Sequence, residues 1–240
     1  MNFKKLTTYA MTGLIFVFGF SQVTSAAIVN DPEESEATIN FKEGTDIPGV
    51  VDPTDPEIPW LPIEPTDPTD PTDPPTGQNG PLTLDYVSSV DFGEHEIEGK
   101  TAVYESTILR PFIQVSDRRG TGAGWNVTAS VGEFETAIEE EKKQTLKGFK
   151  LSFSNGSVIS TSNSLKPTPS NNVELIANAD AVNVVTAEED TGLGTWVNRW
   201  FPTAGATDGL NDSVTLEVPA GAATLGAHAA TVTWSLSDAP

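Results

Sequence analysis

Four tryptophans sit among threonine, serine, asparagine and glycine in the second half of this chain: Trp125, Trp196, Trp200 and Trp234. In such a setting an indole ring can act by contact alone, its flat apolar face lying against a sugar ring while neighbouring polar groups bind the hydroxyls. The same ring on a strand with inward-pointing apolar partners fills a core instead. Trp125 shares strand parity with Val127, and Trp234 with Leu236, so packing is the expectation for both. Thr195-Trp196-Val197-Asn198-Arg199-Trp200-Phe201 is a different case, because its three aromatics cannot all turn inward from one regular strand. Trp196 or Trp200 is expected to line a groove beside Asn198 and Arg199.

Hydrolysis would need positioned acids, or a nucleophile with its base. The only two histidines, His95 and His228, stand in no recognised local motif, and neither Gly-x-Ser-x-Gly nor His-Glu-x-x-His occurs. No spacing selects a carboxylate pair for glycoside cleavage. No catalytic residue is assigned, and the chain is not expected to be an enzyme. The acidic runs Glu188-Glu189-Asp190 and Asp208 to Asp212 lack the spacing of an EF-hand and read as solvated loop charge, so no metal site is assigned. No phosphate loop or dinucleotide fingerprint is present, and no cofactor is expected. With no cysteine in the chain, thiol catalysis and cysteine metal sites are excluded.

The elements that must hold the tryptophans follow a period of two. Leu82 to Val87, Phe112 to Val115, Trp125 to Val131, Phe149 to Phe153, Val182 to Thr186, Thr195 to Phe201, Val214 to Val218 and Val232 to Leu236 alternate apolar with Thr, Ser or Asn, with turn residues between them. Such runs form antiparallel sheets with one wet face. Glu135 to Lys147 has little apolar periodicity and reads as an exposed loop or short polar helix. The fold class expected is all-β, a single antiparallel β-sandwich-like domain over residues 81–240, with strand order left open between jelly-roll and Greek-key variants.

Upstream the composition is unlike the domain. Residues 1–27 have the form of a cleaved secretory signal: Lys4 and Lys5, an apolar stretch of about ten residues from Ala10 to Phe20, then small residues up to Ala26 and Ala27. Residues 28–50 are short and acidic, too brief for a core. Residues 51–80 repeat Asp-Pro-Thr, as in Asp67-Pro-Thr-Asp70-Pro-Thr-Asp73-Pro, which excludes helix and central strand. An extended, disordered acidic spacer reaching about 80 Å is expected there. Trp60 interrupts it within an apolar patch that reads as an exposed sticky site or as incidental. No second apolar span follows, so no membrane span is expected after signal cleavage, and no sorting sequence is seen.

Charge narrows the partners. The formal charge is -21, and loss of Lys4 and Lys5 would carry it to -23. Residues 28–80 hold 13 of the acidic residues against one lysine. Nucleic acid, itself a polyanion, is excluded as a partner.

The signal, the Asp-Pro-Thr spacer, Leu84-Asp-Tyr86-Val87, Gly124-Trp125-Asn126-Val127-Thr-Ala, Leu146-Lys-Gly148-Phe-Lys-Leu-Ser-Phe153 and the terminal Trp234-Ser235-Leu236-Ser-Asp-Ala-Pro together resemble the WxL-domain cell-surface proteins of low-GC Gram-positive bacteria. The resemblance covers about residues 81–240. It departs at the first motif, where Val127 replaces leucine, a swap that keeps a packing role. The resemblance implies an extracellular protein held non-covalently on the cell wall, with peptidoglycan as ligand. It places function on Trp125, Asn126, Val127, Trp234, Ser235 and Leu236. Other WxL and anchored surface proteins are implied as companions, and host matrix proteins as further partners. An alternative is a subunit or adhesin whose β-domain mainly binds proteins.

Overall fold

Alternation becomes strand pairing wherever the sequence shows it. The protein is described here from a computed structural model, which covers residues 34–60, 70–136 and 144–238. The signal peptide expected over residues 1–27 lies outside the described residues. The chain divides into two compact units, Met1–Asn40 and Phe41–Pro240, and every element below belongs to the second.

Among the described residues three four-stranded sheets are formed, and all their strand pairs are antiparallel. The first has the order β1 (Leu82–Val87), β3 (Phe112–Asp117), β12 (Gly194–Arg199), β8 (Ser157–Ile159). The second runs β10 (Asn172–Ile176), β7 (Lys150–Ser154), β13 (Asn211–Val218), β2 (Ala102–Ser106). The third runs β15 (Val232–Ser237), β4 (Trp125–Val131), β11 (Val182–Ala187), β9 (Thr168–Pro169). A small fourth sheet joins β14 (His228–Ala229), β5 (Phe134–Thr136) and β6 (Thr145–Leu146). The polar stretch from Glu135 to Lys147 thus contributes a strand at each end; residues 137–143 lie outside the described residues. The expectation of an all-β antiparallel fold holds.

One apolar core joins these sheets. From β4 come Trp125, Val127, Ala129 and Val131, all buried, while the residues between them are half-buried. Leu151 and Phe153 of β7, Val173 and Leu175 of β10, and Val214, Leu216 and Val218 of β13 meet them. The inward sets are the alternate positions of each run, as a pleated strand requires.

The first sheet is covered on both faces. Ile113, Val115 and Trp196 point into the main core, while Phe112, Gln114, Val197 and Arg199 alternate to the other side. A bulge between Leu84 and Tyr86 turns those two side chains to opposite faces, because Leu84 pairs with Val115 and Tyr86 with Gln114. Tyr86 stacks on Phe112 at 4.4 Å between ring centroids. Burial pushes its hydroxyl pKa up, with Asp73 nearby adding to the shift.

What covers that second face corrects the picture of the acidic stretch as an extended spacer. In its described parts it is a strap. Val50 is buried, and with Val51 and Trp60 it packs on Tyr86, Phe112 and Val197. Trp60 meets Phe112 edge-on at 5.6 Å and lies under the Arg110 guanidinium, so it is not an exposed sticky site. Gln114 donates to the carbonyl of Gly49 at 2.9 Å and accepts from the amide of Val51 at 2.8 Å. Arg110 forks onto Asp70, Arg118 onto Asp46 at 2.5 Å, and Arg199 donates to the Pro53 carbonyl at 2.5 Å. Proline prevents ladder formation but leaves carbonyls and aspartates free to be bound by side chains.

Candidate functional site

Strand pairing sets the two tryptophan motifs side by side. Strands β4 and β15 are neighbours, and Val127 lies directly opposite Leu236, with Trp234 opposite Ala129. The third residues of the two motifs are therefore cross-strand partners. A branched valine facing leucine suits such a pair.

The two motifs have different surroundings. Trp125 is 1% exposed, and its indole N–H donates to the Gly192 carbonyl at 3.0 Å. Gly192 has φ +73, and a Cβ there would come within 2.7 Å of the indole nitrogen and 2.5 Å of the Ala187 Cβ. Only glycine lets the backbone approach so closely. Val127 is fully buried, and Asn126, half-buried, accepts from the Thr186 hydroxyl at 3.0 Å. The first motif is a pillar of the core.

Strand β15 lies at the sheet edge, and Trp234 and Leu236 remain half-buried while Ser235 is exposed. Trp234 packs on Phe153 (5.8 Å) and Trp200 (6.0 Å) with part of its ring, and with the rest it lines a groove of about 990 Å3. Leu151, Phe153, Leu216 and Val218 floor the groove, and Tyr104, Phe134 and Phe92 add aromatic surface. Two segments wall it, residues 87–97 on one side and residues 223–231, which include β14, on the other. His95 of the first segment stacks on Tyr104 at 4.0 Å, and His228 of the second shares a 2.8 Å hydrogen bond with the Thr224 hydroxyl. Asp73, Asp91, Glu94 and Glu96 also line the groove, and its lining holds neither lysine nor arginine.

A cleft of this size with apolar walls and a few polar groups is the usual form of a ligand site. Its electrostatics reject phosphate and carboxylate polymers and accept neutral or cationic groups. Aromatic surface beside hydroxyl and imidazole groups offers both stacking and hydrogen-bond contacts.

The groove expected at Trp196, Asn198, Arg199 and Trp200 is not open. Trp196 is 5% and Trp200 1% exposed, and both belong to the main core. Trp196 donates to the Leu193 carbonyl at 3.0 Å. Trp196, Asn198 and Trp200 share one parity and are all buried, with both rings in the core, while Phe201, of the opposite parity, is the aromatic left half-buried. Asn198 is buried, and Arg199 lies over the Phe201 ring with its pKa lowered by burial. The acidic runs are tied to their own neighbourhoods: Asp190 donates its amide to the Gly122 carbonyl, and Asp212 accepts from Thr203. Among the described residues no group of three or more His, Asp or Glu is placed to hold a metal. Phe92, His95, Tyr104 and Thr224 were missed by sequence reasoning, since they lie in turn-rich stretches or an edge strand with no local pattern.

Fold and groove together describe an all-β domain with an open cleft on one side. The family model described as "WxL domain surface cell wall-binding" matches residues 29–240, strap included. The chain belongs to the WxL family and is a cell-surface protein with a cell wall-binding domain. No curated protein and no solved structure matches it.

Proposed function

We propose that the protein is secreted and attaches non-covalently to the wall by binding peptidoglycan in the groove beside Trp234. The observation that supports this reading is the half-buried Trp234 at the edge of an aromatic groove whose lining carries four acids and neither lysine nor arginine. A wall presents phosphate polymers and peptidoglycan, and an acidic groove repels the former. A saccharide ring stacks on Trp234, the Tyr104 ring being covered by His95, and a stem-peptide amine meets Glu94 or Glu96. Trp234 and Leu236 of the second motif serve ligand and packing together; Trp125, Asn126 and Val127 of the first serve the fold.

The test is co-sedimentation of the purified protein with acid-stripped, protein-free peptidoglycan. Trp234→Ala is expected to lose most binding while keeping the β-rich circular dichroism spectrum. Wild-type protein that is folded yet stays in solution would instead favour a surface subunit or host-matrix adhesin that reaches the wall through protein partners.

A further inference from the structure

The strap touches the sheet backbone near its ends, where the Gly44 amide donates to the Arg118 carbonyl and the Thr76 amide to that of Asp85, and between them it is held by side chains. Its internal order is its own. Asp52 accepts the Thr54 amide at 2.7 Å, the Asp52 amide donates to Ile58, and the Trp60 amide donates to Val50, closing a hairpin through one bridge between Val51 and Pro59. That local closure presents Val50 and Trp60 together. The hairpin adds no strand to the domain; instead, domain side chains bind its backbone and carboxylates.

Those contacts are of the kind that recognise a peptide. Gln114 reads an amide and a carbonyl two residues apart, and Arg199 reads a third backbone group. Arg110 reads the aspartates of two Asp-Pro steps, Asp52 at 3.9 Å and Asp70 by its fork. Ser89 reads the aspartate of a third, Asp73, with amide (2.7 Å) and hydroxyl (2.5 Å). Tyr86, Phe112 and Val197 form the apolar seat for Trp60 and Val50. Behind them Asp85 is buried and fixed by Gln114, Ser116 and Thr83, so the reading side chain is itself held in place. Of the four arginines in the chain, three contact this one segment.

We propose that this face of the first sheet is a recognition site for an acidic Asp-Pro hairpin, filled here by the chain's own strap and able to take the strap of a second copy. Two features favour exchange. The strap joins the domain through Gly77-Gln78-Asn79-Gly80, whose two glycines have positive φ with nothing near where a Cβ would lie, so this segment can pivot once the Gln78 side chain releases the Leu84 amide and the Gly80 carbonyl releases Arg118. An emptied site would expose Tyr86, Phe112 and Val197, so it is refilled, and a swapped strap restores every contact at no enthalpic loss. Copies crowded on a wall make the trans strap locally concentrated. Strap exchange then links neighbouring wall-bound copies.

The experiment inserts a protease site between Asn79 and Gly80 of the full chain and cuts it after purification. The severed strap is expected to co-elute with the domain and to be displaced by excess labelled peptide of residues 41–76. Raising salt from about 0.05 M to about 0.5 M should weaken the peptide by about tenfold or more, and a peptide carrying Asp52→Asn and Asp70→Asn should bind about tenfold more weakly. A strap released only when the domain itself unfolds would show an integral part of the fold and overturn the site. So would a folded domain that loses its strap and binds no peptide. Intact copies bearing donor and acceptor dyes, mixed at high concentration, should develop energy transfer that excess peptide abolishes. Peptide binding without that transfer would overturn the second copy as occupant.

Discussion

Two copies of one short motif, on neighbouring strands, are put to different uses by their positions in the sheet. Trp125 begins β4, a strand with partners on both sides, and ends up sealed against Gly192. Trp234 sits mid-way along β15, an edge strand, and keeps part of its ring for the groove. Motif residues alone do not distinguish a core pillar from a binding surface; the number of neighbouring strands does. A central strand buries its inward ring completely, whereas an edge strand leaves one flank to whatever docks there.

The comparison is broken most severely at the pillar. Trp125→Ala should cost about 3–5 kcal/mol of stability, read from urea unfolding, because it leaves a cavity in a core that cannot collapse around it. Next comes Gly192→Ala, expected to cost about 2 kcal/mol or more, since the new methyl meets the indole and strains a left-handed backbone. Trp234→Ala should cost only about 1–2 kcal/mol, the share of its ring that packs on Phe153 and Trp200. If the two tryptophan variants lost equal stability, the distinction between pillar and groove would fail.

Asp73 sharpens the contrast from outside either motif. Its carboxylate ties the strap to Ser89, at the root of the loop that walls the groove. Asp73→Ala should weaken wall binding less than Trp234→Ala does, with a several-fold effect expected from loss of charge-assisted bonds; equal binding to wild type would show that the loop keeps its place unaided.

The smallest effects lie in pH dependence, where two aspartates of the strap region have opposite signs. The Arg118 side chain beside Asp46 holds its carboxyl below the usual value of 3.8. A depressed folded-state pKa gives stabilisation that is present above the unfolded value and lost as pH falls through the folded one. Asp85 is the reverse: burial outweighs its three hydrogen bonds and raises it above 3.8. Between its unfolded and folded values the native state holds the extra proton, so its contribution is fully present at low pH and declines as pH rises. The stability of wild type relative to Asp85→Asn should therefore fall as pH rises from about 4. A flat difference across that range would contradict the burial of Asp85 as a charge under strain.

Much of the fold was legible because period-two alternation needs no long-range information. Trp125, Val127, Ala129 and Val131, and Leu151 with Phe153, face the core as their parity requires. Trp196 and Trp200 misled because three aromatics in six positions suggested that one of these two rings turns outward, whereas both keep their shared inward parity and Phe201 is the one left half-buried. The strap was illegible for a related reason. Proline and aspartate read locally as a solvated rod, whereas the groups that seat them lie far off in sequence: Gln114 is 63 residues from Val51, and Arg199 is 146 from Pro53. The groove was hidden likewise, since its walls come from residues 87–97 and 223–231, stretches that carry mostly turn signals. Of the candidate site only Trp234 could be named beforehand, and its exposure follows from strand order, which the chain does not spell out.

One measurement tests the central claim most directly: co-sedimentation of Trp234→Ala with protein-free peptidoglycan, beside wild type and with unfolding midpoints measured on the same samples. The account predicts a folded variant whose affinity for the wall drops by about tenfold or more, the loss of one good stacking contact. A folded variant that sediments as well as wild type would contradict it, and would move wall binding away from the groove.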